Sequence, residues 1–347
     1  VCVCVCVCVW RMEGDGDEAA LAEERALHQL HMLEELARHF ACCPKHSHLL
    51  STVCVPSEND GLARCLMAFS SQIHGSTQAL LRHMVYMEFL EHAEHTPQKI
   101  MRSNSVVTKM LGIYARNLGS KYIKKRFRTI TMEIMRLGES LSLECDPDRL
   151  KASCDDVQKA CREGLENLKW WTQRYLELVI SGSSVRRIPR ELRAVASYIM
   201  DFATHYDLDS VAGCSVTSCI GGFVMLRFIC PAVMVPSSFG VLPNNILPSS
   251  HVQRNLTLIT KVLQKIANNE QFGGNEEYLK PLNSFILAKD QSVRRFLLEV
   301  ALDPQLSGMS LLFCSRVLSF ALAFLCVCCA DVCLLFCLSF SMLLCPC

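Results

Sequence analysis

The chain has 347 residues, and its 35 basic and 34 acidic side chains leave a formal net charge of +1 at pH 7. A charge this close to zero identifies no class of partner through global electrostatics. The length exceeds that of an average domain, although single helical domains of nearly 300 residues exist.

Composition divides the chain into three unlike regions. Residues 1–10 carry no charge and residues 305–347 carry two, so 67 of the 69 charged residues lie in 11–304. Four cysteines lie in the first region and eight in the last, and the ten between them have no regular spacing. This pattern is unlike a secreted disulfide framework and indicates a cytosolic domain. The predicted organisation is a low-complexity N-terminus at 1–18, one domain at 19–304 and an apolar, cysteine-rich tail at 305–347.

The opening stretch, "VCVCVCVCVW", alternates Val and Cys with a period of two, as a strand would. Both faces of such a strand would be apolar, and no turn or pairing signal follows it. A repeated GT dinucleotide read in triplets encodes Val-Cys, so we favour a translated repeat, non-native or disordered, over a selected strand. The chain begins at Val1 and its first methionine is Met12, which is typical of a fragment or a gene-model artefact.

Hydrophobic periodicity predicts helices over most of the middle region. Residues 19–40 place leucines near helical spacing with Glu and Arg between them. Two more helices are predicted within 61–95, split near Gly75. A further helix begins in "SNSVVTK", for which Ser103 or Asn104 is the predicted N-cap.

The second half of the domain is also predicted to be helical. "DPDRLKASCDDVQKACREG" opens one long helix with acidic residues early, and "IPRELRAV" places proline in a first turn. The apolar stretch "SVTSCIGGFVMLRFICPAVMVP" ends at Pro231 and Pro236, and two helices follow it. No segment from 19 to 304 reads as a strand pair, so the predicted fold class is all-α, with about ten helices.

The C-terminal tail has two interpretations. Residues 317–330 are almost wholly apolar but too short for a membrane span. Taken as 317–344 the tail could cross a bilayer with Asp331 inside, at a cost of roughly 3 kcal/mol. Readthrough into non-coding sequence is the favoured alternative to a membrane anchor.

Candidate metal and nucleotide sites are weak. Residues 42–48, "CCPKHSH", hold two cysteines and two histidines, but no second pair lies at zinc-finger spacing. His31, Glu35 and His39 share a helix face without the HExxH pattern. Phosphate-binding glycine loops are absent from the sequence, so we expect no metal and no nucleotide site of the chain's own.

The most informative stretch is 102–128, which holds eight basic residues and no acidic one. Such a patch suits an anionic partner, although a solvated basic helix is the simpler interpretation. Arg102 differs from the rest, because it stands in a loop just before a capped helix. The eight residues are Arg102, Lys109, Arg116, Lys121, Lys124, Lys125, Arg126 and Arg128.

Five motifs, in order along the chain, carry a resemblance to a known family. "MRSNSVVTK" resembles the finger-loop motif of the Ras GTPase-activating proteins, a family that includes neurofibromin-like catalytic domains. "GGFVMLRFICPAVMVP" is similar to that family's FLR-x-x-CPA signature, "IPRELRAVASYI" to the segment before it, and "RNLTLITKVLQKIAN" and "YLKPLNSFI" to those after it. The resemblance covers roughly 20–303 and implies an all-helical domain that docks on GTP-bound Ras.

The resemblance also implies roles for individual residues. Arg102 corresponds to the catalytic arginine finger, and Arg227 to the second arginine, which stabilises the finger loop. An arginine in the apolar run "FVMLRFIC" needs a partner, such as the backbone carbonyls of that loop, and a purely structural role for Arg227 stays open. Lys261 resembles the lysine of the Ras-binding groove. The remaining partner-binding positions are Asn104, Lys109, Gln264 and Asn268. Met101, Val106 and Met225 depart from the family's usual residues but stay apolar and of similar size.

The implied activity is stimulation, in trans, of GTP hydrolysis by a Ras-family GTPase in its GTP form. The chain would then be no enzyme in its own right, and GTP and Mg²⁺ would be carried by the partner. No nucleic acid is expected, and membrane contact is expected only through the partner or the tail. The location implied is cytoplasmic, with the inner face of the plasma membrane left open. A GTPase-binding scaffold without activity is the alternative; a membrane or nucleic-acid protein using the basic stretch ranks third, and the choice between Ras and Rap stays open.

Overall fold

The computed structural model describes residues 59–72, 76–151, 156–211, 213–243 and 246–302. All regular secondary structure in these ranges is helical, which confirms the predicted all-α class. The Val-Cys repeat, the helix predicted at 19–40, the candidate metal ligands of 31–48 and the apolar tail lie outside the described residues.

The described part of the chain forms long α-helices joined by short helical turns. In chain order they are α1 (Asn59–Gln72), α2 (Ser76–His92), α3 (Val106–Leu137), α4 (Pro147–Leu150), α5 (Val157–Ile180), α6 (Gly182–Val185), α7 (Arg190–His205), α8 (Val216–Phe223), α9 (Cys230–Met234), α10 (Ser250–Asn268) and α11 (Asn283–Ala301). Five 3₁₀ segments connect described helices: Pro97–Lys99, Gly138–Ser140, Leu208–Ser210, Pro236–Phe239 and Gly274–Leu282. A π-helical turn, Val224–Ile229, joins α8 to α9.

Helix α3 is the central element, and it packs against α1, α2, α5, α7 and the π turn. Its N-cap is Ser105, whose hydroxyl accepts the backbone N–H of Thr108 at 3.3 Å. The prediction of Ser103 or Asn104 as N-cap is therefore wrong. The Ser103 hydroxyl donates to Glu88 instead, and the Asn104 side chain is exposed.

Two other helix boundaries in the structure differ from the predicted ones. The long helix predicted from "DPDRLKAS" is divided into α4 and α5, each with an aspartate as N-cap, Asp146 and Asp156. Aspartate is more stable at a cap than inside a helix, because its carboxylate accepts free N–H groups. Pro189, predicted in the first turn, is the N-cap of α7.

The stretch Val216–Met234 comprises α8, the π turn and α9. It passes Pro231, predicted to end a helix, because this residue stands in the first turn of α9, where no N–H is needed. Among the described helices it alone has the length and hydropathy to span a membrane, but 72% of it is buried inside the fold. It is therefore a core element of the globular domain.

The stretch Val216–Met234, which we call the core stretch, contacts α3 closely at one glycine. A Cβ on Gly119 of α3 would lie 2.2 Å from Phe228 Cε2, so the Phe228 ring lies directly against the α3 backbone. This contact fixes the π turn against α3, whose N-terminus follows the loop that carries Arg102. The core stretch also packs against α7, α10 and α11.

Candidate functional site

Arg102 lies in a short loop between α2 and α3, which we call the finger loop (residues 97–105). The loop opens with the 3₁₀ turn Pro97–Lys99, and the N–H groups of Arg102 and Ser103 both donate to the Lys99 carbonyl at 2.9 Å. Met101 is fully buried and has a positive φ of 58°. A side chain in this region costs roughly 1–2 kcal/mol, so packing around Met101 must hold the loop in this conformation.

Met101 packs directly against Gly222 of α8. A Cβ at Gly222 would lie 2.8 Å from Met101 Cβ and 3.0 Å from the Met101 carbonyl oxygen. Only glycine allows the helix backbone this close to the loop. Met101, Val106 and Met225, the three departures from the family's usual residues, are all buried in the core.

Arg227 lies on the π turn and contacts the loop backbone from below. Its Nη2 donates to the Arg102 carbonyl at 3.1 Å and to the Ser103 carbonyl at 2.8 Å. Burial lowers the pKa of Arg227, and the negative charge of Glu88 opposes that effect. The two arginines that the sequence singled out are thus adjacent, joined through the loop's main chain.

Glu88 is a further residue of this site that sequence reasoning missed. Its side chain is on α2, only 2% exposed, and accepts the Ser103 hydroxyl at 2.8 Å. The only sequence signal was an acidic residue inside the apolar run "VYMEFL". A buried carboxylate needs donors and a nearby positive charge, which Ser103 and Arg227 supply.

Two side chains outside the predicted set complete the loop's anchoring. The hydroxyl of Thr108 donates to the Ser103 carbonyl at 2.8 Å, beside the Arg227 contact. Asn59 Nδ2, from α1, donates to the Asn104 carbonyl at 2.9 Å. The loop backbone on the C-terminal side of Arg102 is therefore held by side chains of α1 and α3 and by the π turn's arginine, while Glu88 of α2 holds the Ser103 side chain.

The Arg102 side chain itself is only half-buried. Within the ranges that the structure describes, no hydrogen bond or ion pair ties its guanidinium. The backbone is fixed while the side chain stays available, which suits a cation presented to another molecule. This arrangement presents a positive charge on a backbone that is held in place.

The other predicted partner-binding residues lie on two helices. Lys109 is half-buried in the first turn of α3. Lys261, on α10, forms an ion pair with Glu276 at 2.7 Å, the two side chains being 35% and 30% exposed. Gln264 is half-buried one turn later, and Asn268 is the last residue of α10. The Asn268 Oδ1 is buried without a hydrogen-bond partner in the described part of the chain.

Helix α10 reaches the finger loop through the two glycines of α8. A Cβ on Gly221 would meet the Ala267 carbonyl of α10 at 3.3 Å, whereas Gly222 faces the loop. The structure therefore groups Arg102, Asn104 and Arg227 directly. Lys261, Gln264 and Asn268 on α10 form a second group, which is connected to the first through α8.

The rest of the basic stretch lies along α3. Lys121, Lys124, Lys125 and Arg128 are exposed and form no ion pair with the residues described. Arg126 is half-buried, 5.9 Å from the centre of the Tyr122 ring. No group of three His, Cys, Asp or Glu side chains that could hold a metal ion occurs in the described ranges.

Comparison with known proteins gives one consistent family. A family model described as "GTPase-activator protein for Ras-like GTPase" matches residues 80–268, which include every predicted site residue. Neurofibromin-A of Dictyostelium discoideum is 31% identical over 240 residues, which are 66% of this chain and 25% of that protein. Human Ras GTPase-activating protein nGAP is 27% identical over 244 residues, 70% of this chain and 20% of that protein. The chain thus spans about a quarter or less of the length of these relatives.

Proposed function

The chain belongs to the family of GTPase-activator proteins for Ras-like GTPases, and from that premise we propose that it docks on a GTP-bound Ras-type GTPase and inserts Arg102 into its active site. The observation that carries the proposal is the finger loop, whose backbone is fixed on several sides while the Arg102 guanidinium is without a hydrogen-bond partner among the described residues.

The chemistry of GTP hydrolysis explains what such an arginine would do. Negative charge spreads over the oxygens of the transferred phosphoryl group in the transition state, and a Ras-type GTPase has no arginine of its own there. A guanidinium supplied from outside gives fixed positive charge in a site closed to water, and such fingers accelerate hydrolysis by about 10³–10⁵. The hydrolytic machinery, GTP and Mg²⁺ stay on the partner.

Rigidity of the loop is what makes the insertion effective. A catalytic cation stabilises a transition state only if it need not reorganise during the reaction. Arg227, Thr108 and Asn59 hold the loop carbonyls, and Met101 fixes its base. Arg227 therefore acts as a positioning residue for Arg102.

The second group of residues, on α10, would bind the surface of the GTPase. Lys261 is partly exposed on α10, and its ammonium already bonds to a carboxylate, Glu276. We propose that an acidic side chain of the GTPase replaces or joins Glu276 on docking, and that Asn104, Lys109, Gln264 and Asn268 line the same surface. Charge pairs of this kind chiefly set association rate and specificity.

The test is single-turnover GTP hydrolysis by a purified Ras-type GTPase with the full chain added. We expect strong acceleration by the wild-type chain and a loss of about 10³-fold or more for Arg102→Ala, with binding to the GTP form largely retained. Arg102→Lys should also fail, since an ammonium lacks the planar fork of the guanidinium.

Arg128→Ala is the matched control, because it removes an exposed arginine of α3 outside the finger loop and should leave the acceleration unchanged. A fully active Arg102→Ala variant would contradict the finger assignment. Binding to the GTP form without faster hydrolysis by the wild-type chain would instead identify a scaffold.

A further inference from the structure

We propose that Cys214 and Cys219, at the base of the finger loop, are a reversible modification site at which a hydroperoxide converts two thiols into a disulfide. The two sulfur atoms lie 3.9 Å apart, already in contact. A disulfide needs a separation of about 2.05 Å, so a movement of roughly 2 Å would close it.

Helix geometry explains why these two cysteines meet. Ser215 is the N-cap of α8 and forms a reciprocal capping box with Ser218, whose hydroxyl in turn accepts the Ser215 N–H at 3.0 Å. Cys214 is then the residue before the cap and Cys219 the fourth residue of the helix. These are the two positions whose side chains touch across a capped helix start. The capping box thus holds the thiol pair in place.

The surroundings favour reaction at Cys214. Cys214 is a partly exposed residue, whereas Cys219 is buried. The hydrogen bond between the two thiols, followed by one from Ser218 and the charge of Arg102, lowers the pKa of Cys214 against the opposing effect of burial. The same thiol contact and burial raise the pKa of Cys219. Cys214 is therefore the attacking sulfur and Cys219 the resolving one.

The reaction balances with one peroxide per pair. The Cys214 thiolate attacks one oxygen of hydrogen peroxide, the O–O bond breaks, and the departing hydroxide takes a proton to become water. Cys219 then attacks the sulfur of the resulting sulfenic acid and displaces its hydroxide, which takes the Cys219 proton as a second water. Two thiols lose two electrons and two protons, and the peroxide is reduced to water.

The modification would alter the finger loop, a consequence that rests on the proposed function. In its protonated form, which exchanges with the reactive thiolate, the Cys214 thiol donates to the carbonyl of Pro97, the first residue of the loop, at 3.4 Å. A disulfide sulfur carries no proton in either state, so it cannot make this bond. Loss of one such contact corresponds to a rate change of about two- to tenfold, if the loop position limits catalysis.

Mass spectrometry of the full chain tests the thiol chemistry without reference to any GTPase. Cleavage after Arg193 and Arg227 yields the peptide 194–227, which contains Cys214 and Cys219 and no other cysteine. After mild hydrogen peroxide and blocking of free thiols with a maleimide, we expect this peptide to be two hydrogens lighter and unlabelled. Reduction before blocking should restore two labels.

The chain offers internal comparisons. The Cys161 thiol donates to the backbone carbonyl of Cys145 at 3.5 Å, and burial raises the pKa of Cys145 to about 12, so this pair should stay unlinked. Cys65 is exposed and should report the supply of oxidant. Oxidation of Cys65 with peptide 194–227 still carrying two free thiols would overturn the proposal.

A functional arm uses Cys214→Ser, which removes the attacking sulfur and keeps a hydroxyl that can donate to the Pro97 carbonyl. Peroxide should lower the GTPase stimulation of the wild-type chain about two- to tenfold, with recovery on reduction, and should cause no such reversible loss in the variant. A disulfide without any change in stimulation would keep the modification site and overturn its link to the loop. Failure of the untreated chain to stimulate a GTPase removes the proposed function, while the peptide result stands on its own.

Discussion

At the scale of single residues, the site depends on two opposite charges, the buried Glu88 and the partly buried Arg227. Both bond to Ser103, Arg227 through the Ser103 carbonyl and Glu88 through its hydroxyl. Burying either charge alone would be costly, and each reduces the cost for the other. Ser103 therefore holds the residue after the finger in place through both its main chain and its side chain.

We predict that Arg227→Met, which keeps the apolar part of the side chain and removes its donors, weakens both the fold and the finger loop. The carbonyls of Arg102 and Ser103 lose a donor and Glu88 loses its positive neighbour, so we expect the free energy of unfolding to fall by about 1–3 kcal/mol. Stimulated hydrolysis should fall more strongly than binding to the GTP form. Urea titration and single-turnover kinetics measure the two effects.

Arg187→Met is the control for this prediction, because Arg187 is exposed and remote from the loop in the chain. The double variant Arg227→Met with Glu88→Gln should be less destabilised than the two single effects added together, since each single change leaves the partner's charge uncompensated. Strict additivity would show that the two side chains do not interact.

At the scale of elements, the finger loop depends on how closely α8 approaches it. We predict that Gly222→Ala displaces the loop, because the added methyl group would lie 2.8–3.0 Å from Met101 Cβ and carbonyl oxygen. The expected cost is about 1–3 kcal/mol of stability with a loss of most GTPase stimulation. Thermal unfolding and the hydrolysis assay provide the measurement.

The adjacent glycine is the matched control for Gly222→Ala. In Gly221→Ala the methyl group meets the Ala267 carbonyl at 3.3 Å and Leu297 Cδ1 at 3.4 Å, on the side away from the loop. This variant should lose some stability and keep more of the stimulation. Equal loss of activity in both variants would contradict a specific role for the Gly222 contact.

Several elements were predictable from sequence because their signals are local. Periodicity placed α2, α3, α7, α10 and α11, and proline and glycine placed most breaks between them. The N-cap of α3 was misplaced by at least one residue, because three polar residues in a row, "SNS", are all good caps, and only the contact of Ser103 with Glu88 excludes the first.

The sequence could not reveal two features of the site. Glu88 has the residue type of a solvated helix face, and its burial depends on packing among α2, the finger loop and the π turn. The π turn itself lies in the apolar run "VMLRFI", whose composition suits an α-helix equally well. The contact between Cys214 and Cys219 could have been predicted, since "CSVTSC" places a Ser-x-x-Ser capping box between the two cysteines.

At the scale of the whole molecule, the segment after α3 is tied to α10 by buried polar contacts. Asn255 accepts the Leu143 N–H at 3.1 Å and donates to the Leu141 carbonyl, and Arg254 makes two bonds to the Glu144 carboxylate, at 2.8 and 3.0 Å. These contacts join the far end of α3 to the helix that carries Lys261. They therefore fix the two partner-binding helices relative to each other.

We predict that the Glu144 contribution to stability depends on pH. Burial alone would raise the pKa of Glu144, but the bonds from Arg254 and from backbone N–H groups outweigh it and hold the pKa below the usual 4.5. A lowered folded-state pKa stabilises the native state above the unfolded value, and the effect is lost as pH falls through the folded value. Glu144→Gln should therefore cost about 1–3 kcal/mol at pH 7 and progressively less below about pH 4.5.

Urea titrations of wild type and variant between about pH 3 and about pH 8 would measure this difference. The lower limit lies about one unit below the usual pKa of a carboxyl group, and the upper limit about one unit above neutrality. Glu139→Gln is the control, because Glu139 is exposed on the 3₁₀ turn at the end of α3 and forms no ion pair with the described residues. A difference between wild type and Glu144→Gln that stays constant down to acid pH would contradict the lowered pKa.

The π turn has a consequence for how this domain tolerates changes in length. The Cys230 N–H bonds back to the Met225 carbonyl, five residues earlier, so the core helix holds one residue more here than regular α-helical winding would need. Deleting the codon of Leu226, which is only partly buried, would restore regular winding and keep the fully buried side chains of the turn. Because this deletion lies before Arg227, it would also turn Arg227 by about 100° relative to α8 and carry its guanidinium away from the finger loop. The position of Arg227 is thus encoded by the spacing between the Gly221–Gly222 pair and Pro231 as much as by the residue type. An alignment that removes the extra residue of the π turn would therefore misplace Arg227.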